Sequence, residues 1–253
     1  MNQEKLVAVW KHEEQQPFTG WDFSYLDGRM VEEQPPWSYP TRAAQLMQRS
    51  SAVLDMGTGG GERLLKLRKN WPRRVVVTED YPPNLKLAEQ RLGPLGVTVV
   101  DVPLTRDGLM PFEDGEFDLV LNRHSALNCA EVARALAPEG VFLTQQIHGL
   151  WTQDLLAAFG AVPQWPDATP EYYVPRLEAA GLKVERVKEW QGRLIFHDVG
   201  AMAYYLKAAP WLVPGFSVEM HKWSLMKLQE QLQREGQLVF EARKYLIESG
   251  KVI

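Results

Sequence analysis

Asp55 closes an apolar run, "AVLDM", and the turn Gly57-Thr58-Gly59-Gly60-Gly61 follows it at once. A second acid, Glu79, closes the next apolar run, "RVVVTE". Glycines permit positive φ and let a ligand approach the main chain. A helix opening behind such a turn offers free N–H groups. In the dinucleotide fingerprint G-x-G-x-x-G those groups hold a pyrophosphate. Counted from Gly57, the third glycine falls on Glu62, whose carboxylate would repel a diphosphate. No G-K-[ST] follows the turn, which excludes a P-loop. Two acids flanking a glycine turn suit a ligand with a cationic group and a ribose diol. A carboxylate at the second strand accepts ribose hydroxyls, and Asp55 supplies the negative field. A third group of residues, Asn122, Arg123 and His124, follows the apolar "FDLVL". It offers an amide to orient a ligand, a guanidinium to pair with a carboxylate, and an imidazole that titrates near neutrality.

These residues need elements to position them. Thr41 is placed to cap a short helix running to about Arg49. "AVLDMG" then reads as a strand, and Leu64, Leu65 and Leu67 as a helix ending before Pro72. "RVVVTED", "GVTVVDV", "FDLVLNRH" and "GVFLTQQI" read as further strands. "NLKLAEQRL" and "AEVARAL" read as the helices between them. Alternation at this spacing gives a parallel sheet with helices on both faces, which binds ligands beyond the carboxyl ends of its strands. The second half is less regular. A helix is expected on Trp151, Leu155 and Phe159, another on "EYYVPRLEAAG", a sixth strand on "LKVERVKEW", a helix capped by Asp198, a longer one opening at Ser217, and a seventh strand on "QLVFEARKYLIES".

Residues 1–40 place Phe18, Trp21, Phe23, Tyr25, Trp37 and Tyr39 among glycines and prolines, with neither helical nor strand period. So aromatic a stretch is not a disordered tail. It reads as an arm strapped to the main domain or as a lid, with Trp21, Trp37 and Tyr39 its candidates for covering a ligand or substrate.

The chain has 253 residues, 45% of them hydrophobic, and a formal net charge of −4. That balance argues against nucleic acid as a partner. The cations Arg63, Lys66, Arg68, Lys69, Arg73 and Arg74 read as the solvated face and last turn of one helix, with an RNA-facing patch as the alternative. One cysteine, Cys129, leaves no cysteine-based metal site and no intrachain disulfide. The start is too charged for a signal peptide, and no apolar run approaches the ~20 residues of a membrane helix. A cytoplasmic protein is the expectation, with no metal.

"VLDMGTGGG" resembles the first motif of the class I S-adenosylmethionine-dependent methyltransferases. "MPFEDGEFDLV" resembles the segment before their fourth strand, and "VARALAPEGVFL" the helix-to-strand motif before the fifth. The resemblance spans about Ser50 to Gly149. It implies an α/β, doubly wound, Rossmann-like sheet of seven strands, mostly parallel, in the order 3-2-1-4-5-7-6 with the seventh antiparallel. The aromatic arm is then residues 1–40 and the methyltransferase domain 41–253, with core motifs over 50–149 and substrate-side insertions over about 150–236. The resemblance further implies an enzyme with S-adenosylmethionine as cofactor. Asp55, Gly57, Thr58, Gly59, Gly60 and Gly61 would meet its methionine part, Glu79 its ribose, Asp80 or Tyr81 its adenosine, and Asp107 its adenine amino group. Asn122 and Arg123 would lie where the methionine end meets the acceptor. His124 is the candidate base or acceptor-positioning group. Aromatic residues in both the arm and the later insertions suit an apolar or planar small-molecule acceptor. An RNA nucleobase is the alternative acceptor. An oxidoreductase, or a non-catalytic protein that only binds S-adenosylmethionine, remains open as well.

Overall fold

The computed structural model describes residues 2–19 and 21–252. Five strands, β2 (Ala52–Met56), β3 (Arg74–Glu79), β4 (Thr98–Asp101), β5 (Phe117–Arg123) and β6 (Leu136–Ile147), pair in parallel in the order 4-3-2-5-6. β8 (Leu238–Lys251) runs antiparallel between β6 and β7 (Leu182–Phe196). The expected seven-strand order is therefore present. The expected count is corrected to eight by β1 (Met30–Glu32), which pairs antiparallel with the end of β7. β1 comes from the arm, where no strand was expected; three residues are too few for alternation to show. The arm also holds the helix α1 (Gln3–Glu14).

The parallel strands are apolar along their length because helices cover both faces. Leu54, Val76, Val120, Phe142 and Ile247 bury one face. Val53, Val77, Leu121, Leu143 and Leu246, one residue out of phase with them, bury the other. That second face is roofed by α2 (Tyr39–Met47), α3 (Glu62–Lys66) and α4 (Pro82–Leu92). The first packs against α5 (Cys129–Ala135) and α7 (Pro170–Ala179).

α2 starts before Thr41. Ser38 is the cap, its hydroxyl accepting from the Thr41 N–H at 3.3 Å, and Pro40 fills the first turn, where its missing N–H goes unneeded. α3 is only five residues long and gives way to a 3₁₀ turn over Arg68–Asn70.

A third core stands apart. β6 ends at Ile147, opposite Lys244, while β7 and β8 run on together as a two-stranded ribbon through Phe196 and Leu238. Leu194, Phe196, Phe240 and Ala242 on that ribbon pack with Trp10 of α1, Leu155 of α6 (Gln153–Ala158), Met202 of α8 (Val199–Ala208) and Leu225 of α9 (Lys222–Glu235). The register puts this cap beyond the carboxyl ends of the parallel strands. β7 continues past Trp190, where the expected strand stopped, and α9 starts at Lys222 rather than Ser217. Asp198 caps α8 as expected, accepting from the Ala201 N–H at 2.7 Å, and it also anchors the arm through Arg29 at 2.7 and 2.8 Å. No described helix is long and apolar enough to cross a membrane.

Candidate functional site

The turn after β2 needs its glycines. Gly57, Gly59 and Gly61 have φ of +65°, +65° and +81°. A Cβ on Gly57 would lie 2.6 Å from the Ser125 hydroxyl, and one on Gly61 would lie 2.9 Å from the Leu92 side chain. Thr78 fastens the turn from β3: its hydroxyl accepts the Gly57 N–H at 3.1 Å and its carbonyl accepts the Thr58 N–H at 3.0 Å. Glu79 fastens it further. One carboxylate oxygen accepts the Gly59 N–H at 2.7 Å, and the other accepts the Asp80 and Tyr81 N–H groups at 3.2 and 3.0 Å. A carboxylate has about four acceptor positions, so three are already taken by the protein. The sequence assigned Glu79 a ligand alone; in the fold it also holds the turn.

The pairing register gathers the second group. Asp55 is opposite Leu121, Arg123 opposite Gln145, Gln145 opposite Leu246, and Ile147 opposite Lys244. Side chains alternate along a strand, so Asp55, Arg123, Gln145 and Lys244 project on the face that α2 and α3 roof. Burial raises the Asp55 carboxyl to about 6; the Thr58 hydroxyl and the Arg123 charge pull it back, and Glu79 adds to the rise. The hydroxyls of Tyr39 and Thr58 are buried with no hydrogen-bond partner among the described residues. Burial, then the Asp55 charge, hold the Tyr39 phenol well above its ordinary range. Asn84, Thr152, Arg243, Tyr245 and Ser249 carry such atoms too, so these two hydroxyls do not by themselves mark a ligand site.

Arg123 is pushed down to about 10 by burial and then by the charge of Arg63. Neither guanidinium makes an ion pair among the described residues. Lys244, 4% exposed, pairs with Glu32 of β1 and lies 5.5 Å from the centre of the Trp151 ring. His124 has φ of +60°, a conformation that favours glycine. It is exposed to water although many protein atoms surround it. Burial, then Arg123, Lys244 and Arg63, hold its pKa well below 6.5, so it is neutral at pH 7. Trp37 caps this end, its indole N–H donating to the Gln145 side chain at 2.8 Å.

Trp21 reaches the other end. Its ring edge comes within 3.0 Å of where a Cβ on Gly59 would stand, and it packs edge-on against Phe18 and Trp211. Two sequence candidates are placed otherwise. Asn122 projects to the opposite face, where its carboxamide oxygen accepts from Thr144 at 3.1 Å and from Gln146; that side chain ties β5 to β6. Asp107 is exposed on the loop after β4 and accepts from the Thr105 hydroxyl at 3.0 Å, with no bond to the other site residues. Asp80 and Tyr81 are exposed at the rim.

Sequence reasoning missed Thr78, Lys244 and Glu32. Lys244 did leave a signal: it stands in the apolar phase of "FEARKYLIES", between Ala242 and Leu246. Arg63, Lys66, Arg68 and Lys69 are all exposed, and the charge of Arg63 reaches Arg123.

Residues 54–144 match the family profile described as a methyltransferase domain. Among curated proteins, the chain is 34% identical over 80 residues to the release factor glutamine methyltransferase of Mycolicibacterium smegmatis, covering 31% of this chain and 28% of that one. It is 36% identical over 86 residues to the demethylmenaquinone methyltransferase of Thermus thermophilus, covering 33% and 38%. The match thus spans about a third of these relatives' length. Among solved structures it is similar to the YcgJ protein of Bacillus subtilis, with a TM-score of 0.59 at 16% identity over 85% of this chain and 98% of that one. The glycine turn and both acids fall inside the matched segment, on the sheet the family uses. The chain carries a class I methyltransferase domain, of the kind whose methyl donor is S-adenosylmethionine.

Proposed function

We propose that this protein is an enzyme that transfers a methyl group from S-adenosylmethionine to a small-molecule acceptor. The observation that carries the reading is the Asp55 carboxyl, raised by its surroundings to about 6, at the head of a glycine turn with no room for side chains. Those features fit the cofactor: an acid for its ammonium and bare backbone for its close approach. When bound, S-adenosylmethionine supplies an activated methyl group on a sulfonium.

The chain's own residues do the rest. Asp55 takes the ammonium group, with Tyr39 and Thr58 completing its shell. Glu79 has one acceptor position left, which takes a ribose hydroxyl, and Asp80 and Tyr81 flank the adenosine. The backbone of Gly57–Gly61 lines the methionine part. Asp107 reaches the adenine rim only if its loop turns inward. Arg123 pairs with a carboxylate. His124, held neutral, positions the acceptor by a hydrogen bond, and the surrounding cations make it a poor proton acceptor. Holding acceptor and methyl near-collinear can supply ~7–11 kcal/mol of the barrier. Trp21 over the turn and Trp37 at the opposite end act as a lid that keeps water out. The cap beyond the strand ends narrows the approach, which supports a small molecule over folded RNA.

The test is transfer of labelled methyl groups from S-adenosylmethionine into a cell extract, with the products separated by size. Label is expected in the small-molecule fraction. Label confined to RNA or protein overturns the acceptor class, and a lack of label in every fraction counts against an active enzyme.

A further inference from the structure

We propose that Trp37 and Gln145 hold His124 in one tautomer, bare at Nε2 and protonated at Nδ1, so that the ring meets the methyl acceptor as a hydrogen-bond donor. Trp37 and Gln145 are then positioning residues. The role toward the acceptor rests on the methyl-transfer reading and names the contact made there: a lone pair of the acceptor toward Nδ1–H, rather than a proton toward a bare nitrogen. The bonds start at the indole, whose N–H can only donate. The Trp37 N–H lies 2.8 Å from Gln145 Oε1, so the carboxamide oxygen faces Trp37 and the NH2 group faces the other way. The reverse orientation would set donor against donor at a side chain only 4% exposed. The Gln145 NH2 lies 3.4 Å from His124 Nε2. An amide NH2 only donates, so Nε2 accepts and the neutral ring carries its proton on Nδ1.

The main chain supports the same alignment. The His124 N–H donates to the Gln145 carbonyl at 3.0 Å, from a backbone with φ of +60°. Both bonds draw His124 toward β6, which lies on the side of β5 away from β2 and its glycine turn. That position favours the acceptor over the cofactor as the partner of the ring. His124 is exposed, and its Nδ1 has no partner among the described residues. A ring fixed this way has no lone pair at Nδ1 with which to take a proton. In the transfer, the acceptor's electron pair forms the bond to the methyl carbon, the pair of the broken S–C bond stays on sulfur, and any proton the acceptor loses goes to water.

The experiment records nitrogen NMR spectra of the histidine rings in the isotopically labelled full chain at neutral pH, with the His124 signals identified as those missing from His124→Gln. The parent ring is expected to be protonated at Nδ1 and bare at Nε2. Gln145→Glu replaces the NH2 by an oxygen that only accepts, and should move the proton to Nε2. Trp37→Phe frees the carboxamide to turn, and should mix the two tautomers. Gln145→Glu should also slow the transfer of labelled methyl groups from S-adenosylmethionine into the small-molecule fraction of a cell extract roughly threefold to tenfold, the worth of one hydrogen bond, while S-adenosylhomocysteine affinity stays within twofold. A proton on Nε2 in the parent, or on Nδ1 in both variants, overturns the tautomer assignment. A moved proton with an unchanged or faster transfer overturns the donor role, and a loss of S-adenosylhomocysteine affinity as large as the loss of rate gives the N–H to the cofactor and overturns its role toward the acceptor. Failure of the parent protein to transfer label overturns the methyl-transfer reading and that role with it, and the spectra still decide the tautomer.

Discussion

The site has two ends built on opposite plans. At the turn between β2 and β3, almost every polar group is already engaged: Thr78 and Glu79 between them hold five backbone N–H groups. At the ends of β5, β6 and β8, charges are left unpaired, with Arg63 and Arg123 lacking acids and His124 held neutral among cations. A satisfied network is rigid and fixes geometry before any ligand arrives. An unsatisfied one stores a preference for whatever brings the missing charge. The first end suits a ligand that is always the same, and the second suits a partner that differs between proteins built on the same sheet.

The sharpest way to break that contrast is Glu79→Ala. It removes an acceptor for three backbone amides, that of Gly59 buried, as well as for the ligand, at roughly 1.5–3 kcal/mol for each bond to a charged group. Cofactor affinity is expected to fall a hundredfold or more, with a lower melting temperature in the absence of ligand. Glu79→Gln should recover part of both. A loss near tenfold with unchanged melting would mean that Glu79 serves the ligand alone.

Asp55 lies between the two plans. Its carboxyl ionises at about 6 in the folded protein, against about 3.9 in the unfolded chain. The folded state therefore holds this proton more tightly. The resulting stability is fully present below about pH 4 and is lost as pH rises through about 6. Asp55→Asn should accordingly stabilise the cofactor-free protein at pH 8 by about 3 kcal/mol, with no gain below pH 4, while weakening S-adenosylhomocysteine about tenfold. In the parent protein, cofactor affinity should fall as pH drops through about 6, because the ammonium needs the ionised acid. Thermal melts and calorimetry across pH 4–8 read both effects.

Trp21→Ala removes the aromatic edge over Gly59 and is expected to weaken the cofactor several-fold. Hydrogen exchange should show added protection over residues 15–19 and 21–40 when S-adenosylhomocysteine binds. Unchanged exchange there would make the arm a fixed strap. The smallest effect belongs to His124. A general base contributes about 10²–10⁴-fold, but a neutral positioning group contributes much less, and His124→Ala is expected to reduce turnover less than tenfold. His124→Gly should raise the melting temperature slightly, because glycine adopts φ of +60° without strain.

The parallel strands were legible because burial on both faces writes them as apolar runs, and the glycine turn with its acids sits within one short stretch. The charged end was not, since Glu32, Arg63, Arg123, Gln145 and Lys244 are far apart in sequence and only the register of β5, β6 and β8 unites them. Arg63 read as a solvated cation, and it is exposed, although its charge acts on Arg123. β1 was hidden by its length. α1 was hidden by its polarity, with Trp10 its one fully buried residue. Asn122 was read as a ligand group from its position alone, and only the pleat shows that it points to the other face.

The most direct test of the account is a calorimetric titration of the purified protein with S-adenosylhomocysteine and, separately, NADH at neutral pH. One saturable site for S-adenosylhomocysteine and no heat with NADH is the predicted result. Binding of NADH, or no binding of S-adenosylhomocysteine, would contradict the assignment of Asp55, Glu79 and the glycine turn.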